Sequence, residues 1–162
     1  GGSAETVALL KKHGAKTRKE LKAGEPASIG KFKDYYLAGV KISFRESRLS
    51  SESKRLPWTG YGVDGGYPET IVQSLEVSDV SGTYFLPADM VNDLGNPRID
   101  HVQVRQRGKL LELSMSNSDG AGGYHVFFQV DPLEYRARRF VKMAIEDEHK
   151  ETHDWTSLRK RR

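Results

Sequence analysis

Two aspartates sit between glycines, Asp64 in GVDGGYP and Asp119 in SDGAGGY. Two such loops meeting at one end of a β-domain would pair their carboxylates, the arrangement a hydrolase or lyase uses as general acid and base. Asp-Gly is also a strong turn signal. The segment Asn117 to Gly123 joins two alternating stretches, so its glycines read most simply as turn residues that supply positive φ. A phosphate loop would need GxxxxGK[ST] running into a helix, whereas here the lysine is missing and a strand follows. A calcium loop needs several oxygen ligands at set spacing, and Asp119 stands alone.

His149 and His153 are the metal candidates. On a helix a spacing of four would put both imidazoles on one face, with Glu148, Glu151 and Asp154 nearby. The sequence HKETH departs from HExxH, because its glutamate comes two places after the first histidine and would point elsewhere. The surrounding charges suit a solvated tail equally well. With no cysteine, the chain has no disulfide framework, no Cys-ligated zinc and no thiol nucleophile. No GxSxG motif places a serine for nucleophilic attack. No cofactor is predicted.

A third pattern lies on a surface. If residues 101–145 form an antiparallel meander, one face carries Val102, Leu111, Val126, Phe128 and Val141, and the other carries Arg105, Phe127, Arg136, Arg138 and Phe140. Basic side chains interleaved with rings could engage an anionic polymer or a protein, because cations neutralise phosphates or sulfates while rings offer stacking surface. The competing reading covers the phenylalanines with another layer and packs the arginine stems over them, heads in water.

The elements that must position these residues follow from periodicity. Ala4 to Leu21 reads as a helix capped by Ser3, and residues 24–30 as a turn-rich connector. DYYLAGVKISFRE, with Tyr36, Ala38, Val40, Ile42 and Phe44 apolar at alternate places, predicts one half-buried strand. Residues 71–86 predict a hairpin turning at Ser81-Gly82, and Pro87 to Leu94 a helical turn or two stopped by Gly95. The expected fold is mainly β: an antiparallel meander of seven or eight strands forming a sandwich or open barrel, with an N-terminal α-helix. The alternative is α+β, one antiparallel sheet covered by that helix. A single domain over 1–162 is expected, with helix and connector in 1–30, the β body in 34–146 and a charged tail in 147–162.

The net charge of +4 is unevenly laid out. Residues 1–33 carry eight basic against three acidic residues, and Arg159, Lys160, Arg161 and Arg162 close the chain. Between them 14 basic face 19 acidic residues, so an acidic body has basic ends. That differs from the continuous basic surface of a dedicated nucleic-acid binder, so nucleic acid is not the expected partner. The longest apolar runs are too short to cross a bilayer. The opening GGSAET lacks Met, and a bacterial chain trimmed after a signal peptide or lipidated cysteine, working in the periplasm or cell envelope, is the expectation. The leading functional expectation is a small extracytoplasmic binding or interaction module without enzymatic activity. Its alternatives are the Asp64/Asp119 hydrolase or lyase and a carrier of a small apolar ligand inside a barrel.

Overall fold

The clearest alternating stretch of the sequence turns back on itself. The structure, a computed structural model, describes residues 29–117 and 120–162. In it β1 (Ile29–Leu37) and β2 (Val40–Arg48) form a hairpin with Leu37 opposite Val40. Ala38 and Gly39 have φ of 53° and 75°, the consecutive left-handed residues that a two-residue hairpin turn needs. The single strand expected over this stretch is therefore two. Inward residues are odd-numbered in β1 (Tyr35, Leu37) and even-numbered in β2 (Val40, Ile42, Phe44). Tyr36, expected inside, is 74% exposed.

The second hairpin is present as β3 (Thr70–Asp79) and β4 (Gly82–Phe85). The meander follows as β5 (Gln103–Arg107), β6 (Leu110–Ser116), β7 (Tyr124–Asp131) and β8 (Arg136–Met143). Residues 147–162, expected as a charged tail, instead supply β9 (Lys150–Ser157) and β10 (Arg159–Lys160). The described residues are thus mainly β, in two antiparallel sheets of five strands, ordered β1-β2-β3-β4-β10 and β5-β6-β7-β8-β9. Their helical structure is limited to 3-10 turns at Ser53–Arg55, Ala88–Met90 and Ile99–His101. The expected N-terminal helix falls outside the described residues.

Alternation decides what lies between the sheets. Leu111, Leu113 and Met115 of β6 and Tyr124, Val126, Phe128 and Val130 of β7 are buried in one cluster with Ile42, Phe44, Val72, Leu75 and Val77 of the other sheet. Removing each large apolar side chain from water contributes about 1.5–3 kcal/mol. Two tyrosines tie the layers. Tyr35 donates its hydroxyl to the Ile99 carbonyl at 2.6 Å and accepts from the Val102 N–H at 3.0 Å. Tyr135 stacks on Tyr84 with ring centres 4.0 Å apart and donates to the Asp79 carboxylate at 3.0 Å.

Between β9 and β10 the chain leaves one sheet for the other. Leu158 at the crossing is 8% exposed, and its N–H bonds to the Tyr135 carbonyl at 2.8 Å before Arg159 pairs with Phe85. Leu158→Ala is expected to lower the unfolding free energy by about 2–3 kcal/mol in a denaturant titration. A loss below about 0.5 kcal/mol, typical of an unconstrained surface site, would show that the crossing does not hold the sheets together.

Candidate functional site

Strict alternation in β7 and β8 leaves every second side chain on the outer face of the second sheet. The register lines these residues up: Gln103, Ser114, Phe127, Phe140 and Glu151 face one another in turn across β5 to β9. The half-buried rings of Phe127 and Phe140 lie 6.1 Å apart at 54°, a cross-strand aromatic pair worth about 0.5–1.5 kcal/mol beyond the area it buries. In the adjoining row Arg138 Nε donates to Gln129 Oε1 at 2.7 Å, and Gln129 Nε2 donates to Glu112 Oε1 at 3.2 Å. These bonds hold the Arg138 guanidinium between two rings, 5.1 Å from the centre of Phe140 and 4.8 Å from Trp155. Arg136 covers the same indole at 4.7 Å. The result is a ladder of neighbouring rings and guanidinium groups, each cation–π contact worth about 0.5–1 kcal/mol at an exposed site. Glu151, 3.6 Å from Arg138, and Glu134, 2.9 Å from Arg136, offset part of its charge.

Of the residues singled out from the sequence, Phe127, Arg136, Arg138 and Phe140 come together here. Arg105 does not. It sits on β5 with Glu112 and Gln129 between it and Arg138, and bonds Gln103 at 3.3 Å. Trp155 is missed by sequence reasoning because it stands in a polar run, His153-Asp154 before it and Thr156-Ser157 after, with no apolar alternation to mark a strand. The available signal is the β-favouring pair Thr152 and Thr156 that brackets it.

The two metal candidates lie against different neighbours, because HKETH runs into a strand and no helical face forms. His149 rests edge-on against His125, ring centres 4.7 Å apart, with His125 Nδ1 and His149 Nε2 in a close hydrogen bond. His153 lies opposite Arg139, its Nε2 3.9 Å from Asp89. Among the described residues no group of three or more His, Cys, Asp or Glu side chains is placed to hold a metal.

Burial, then the neighbouring His149 and Lys142, pushes the His125 pKa below its ordinary value. Burial and Lys142 do the same to His149, and burial and Arg139 to His153. Protonation therefore favours the unfolded chain, whose histidines titrate near 6.5, so stability is full above that pH and falls as pH drops through it. The denaturation midpoint is expected to hold steady at about pH 7–8 and to decline from about pH 6.5 downward. With His125→Gln and His149→Gln combined the decline should shrink, and an unchanged profile would mean that this pair does not report on folding.

The aspartate loops do meet. Gly62 N–H donates to the Gly122 carbonyl at 3.2 Å. A Cβ on Gly122 would fall 2.3 Å from the Val63 carbonyl carbon, and one on Gly62, at φ 104°, 2.3 Å from the Gly95 oxygen, so only glycine fits these backbone crossings. The stretch 120–123 is a packing joint as well as a turn. Asp119 lies outside the described residues. Asp64 is exposed and makes no hydrogen bond or ion pair among them.

The inner face holds a charge that apolar patterning passes over. Arg139, 1% exposed, follows Ala137 and precedes Val141 on that face of β8. It reaches both Asp93 oxygens at 2.5 and 2.9 Å, the Met90 carbonyl at 2.8 Å and Thr152 Oγ1 at 2.8 Å. Arg139→Ala strands Asp93 and the Met90 carbonyl, and an unfolding titration should lose about 3–5 kcal/mol. Adding Asp93→Asn should then cost far less than it does alone, since the partner is already gone.

Among the described residues no helix is long and apolar enough to cross a membrane. Comparison of the chain with protein-family models, with curated proteins and with solved structures returned no match.

Proposed function

We propose that this protein is a non-enzymatic binding module that engages a protein or an anionic polymer through the outer face of its second sheet. The observation that carries this reading is the Phe127, Phe140, Arg138, Trp155, Arg136 ladder. Its planar groups are held in place by cross-strand register and by the Gln129 bond, so a partner meets them with little side-chain entropy left to lose. Arginine and tryptophan are also the side chains that concentrate binding energy at interfaces. The sharing of one core by both sheets supports a sandwich over an open barrel.

The apolar-carrier alternative lacks support, because Tyr124, Val126 and Phe128, each at most 1% exposed, occupy the interior that a lumen would need. The carboxylate alternative has the meeting of the two loops in its favour, but Asp64 is exposed and has no hydrogen bond or ion pair among the described residues to aim it at a substrate.

A sulfated polysaccharide is expected to raise the unfolding midpoint at low salt, because a ligand that prefers the folded state must do so, and to lose the effect at high salt. Arg138→Ala should cut that rise by more than half, measured against the variant's own unliganded midpoint, because loss of its two cation–π contacts and the Gln129 bond by itself costs about 1–2 kcal/mol. A rise that Arg138→Ala and Phe140→Ala both leave intact would reject the ladder as the contact surface.

A further inference from the structure

Beside β5 the outer face of the second sheet ends in a polar cleft that the ladder does not use. It measures about 350 Å³ and is lined by Arg98, His101, Gln103, Ser114, Ser116 and His125. Those side chains offer a guanidinium, two imidazoles, two hydroxyls and an amide, and among the described residues no carboxylate lines the cleft. Arg98 is exposed, and neither its guanidinium nor the hydroxyls of Ser114 and Ser116 have a partner among the described residues. Asp100 approaches His101 at 3.9 Å but is shared with Lys31 at 3.8 Å. The ionisable neighbours of His125 are His149 and Lys142. A set of donors gathered without an acceptor of opposite charge suits an incoming anion.

We propose that this cleft binds a tetrahedral oxyanion, the phosphate or sulfate group of a small ligand. Arg98 is the charged anchor, since its planar fork can meet two oxygens at once. Ser114, Ser116 and the Gln103 amide donate neutral hydrogen bonds. His101 offers a ring N–H, and His125, whose Nδ1 is engaged with His149, turns Nε2 to the anion as a donor. A bound anion favours the protonated form of His125, so acidification should tighten binding and binding should in turn hold a proton on that imidazole. The volume, at the small end of ligand sites, accepts the anion with room for a modest organic group. The cleft adjoins the proposed partner surface, Ser114 facing Phe127 across the sheet, but its charged anchor Arg98 is not one of the ladder's side chains, so either can fail without the other.

The test titrates inorganic sulfate and inorganic phosphate into the whole chain at pH 6 and pH 8, read by calorimetry and by the imidazole C–H resonances. The expected result is saturable single-site binding that moves the His101 and His125 signals, with sulfate, whose charge is constant over this range, held more tightly at pH 6. Arg98→Ala should weaken binding about tenfold with an unchanged unfolding midpoint, and Arg138→Ala should leave it as in wild type. Tighter sulfate at both pH values identifies a sulfated ligand, and tighter phosphate a phosphorylated one. Absence of saturable binding for both anions, or wild-type affinity in Arg98→Ala, overturns the proposal.

Discussion

A guanidinium sealed inside a β core costs several kcal/mol of hydration unless its donors are met. Arg139 meets that demand by pulling a loop inward. Four of its N–H bonds go to Asp93, the Met90 carbonyl and Thr152, and its plane lies over the Tyr61 ring at 5.8 Å. The segment between β4 and β5 is thereby fixed against β8 and β9. That segment fixes others in turn: Tyr61 N–H bonds to the Asp93 carbonyl at 2.7 Å, Gly95 N–H to the Tyr61 carbonyl at 3.0 Å and Val72 N–H to the Leu94 carbonyl at 3.0 Å. From Gly62 the chain of contacts passes to Gly122. The glycine-rich loops at this end of the molecule are ordered by one buried charge and by backbone crossings too tight for a Cβ.

The neighbouring residue shows how finely the pleat divides labour. Arg138 and Arg139 are adjacent in sequence, yet one sits on the outer face between two rings and the other inside against a carboxylate. A shift of one residue in register would exchange them and leave both unmet. The β8–β9 pairing carries bulges on both sides of Arg139. Across them Phe140 faces Glu151 while Arg139 faces His153, so the last long strand can serve both faces of its neighbour.

Much of this arrangement is legible in the chain itself. The meander from β5 to β8 follows from alternation, because a half-buried strand has no other way to segregate polar from apolar groups. The same reasoning finds Phe127, Arg136, Arg138 and Phe140 on one side. It fails at Ala38-Gly39, where apolar Tyr36 and Ala38 carry an even-numbered pattern straight through a turn that lacks the Asn-Gly or Asp-Gly signature. It fails again at β9, a sheet edge with polar residues on both sides, whose pairing is decided by β8 and not by its own hydrophobicity.

Composition and period alone determined a mainly β chain, the polarity of each face in the second sheet, and the absence of cysteine chemistry. Those properties are local, set residue by residue by side-chain type and the two-residue repeat of the strand. Only the tertiary structure decided that the charged C-terminal segment spans both sheets, that Trp155 completes the ladder, that His149 meets His125 and that Arg139 finds Asp93. Each of these joins residues whose pairing depends on strand order, and strand order is settled by how the whole core closes, which no window of sequence contains.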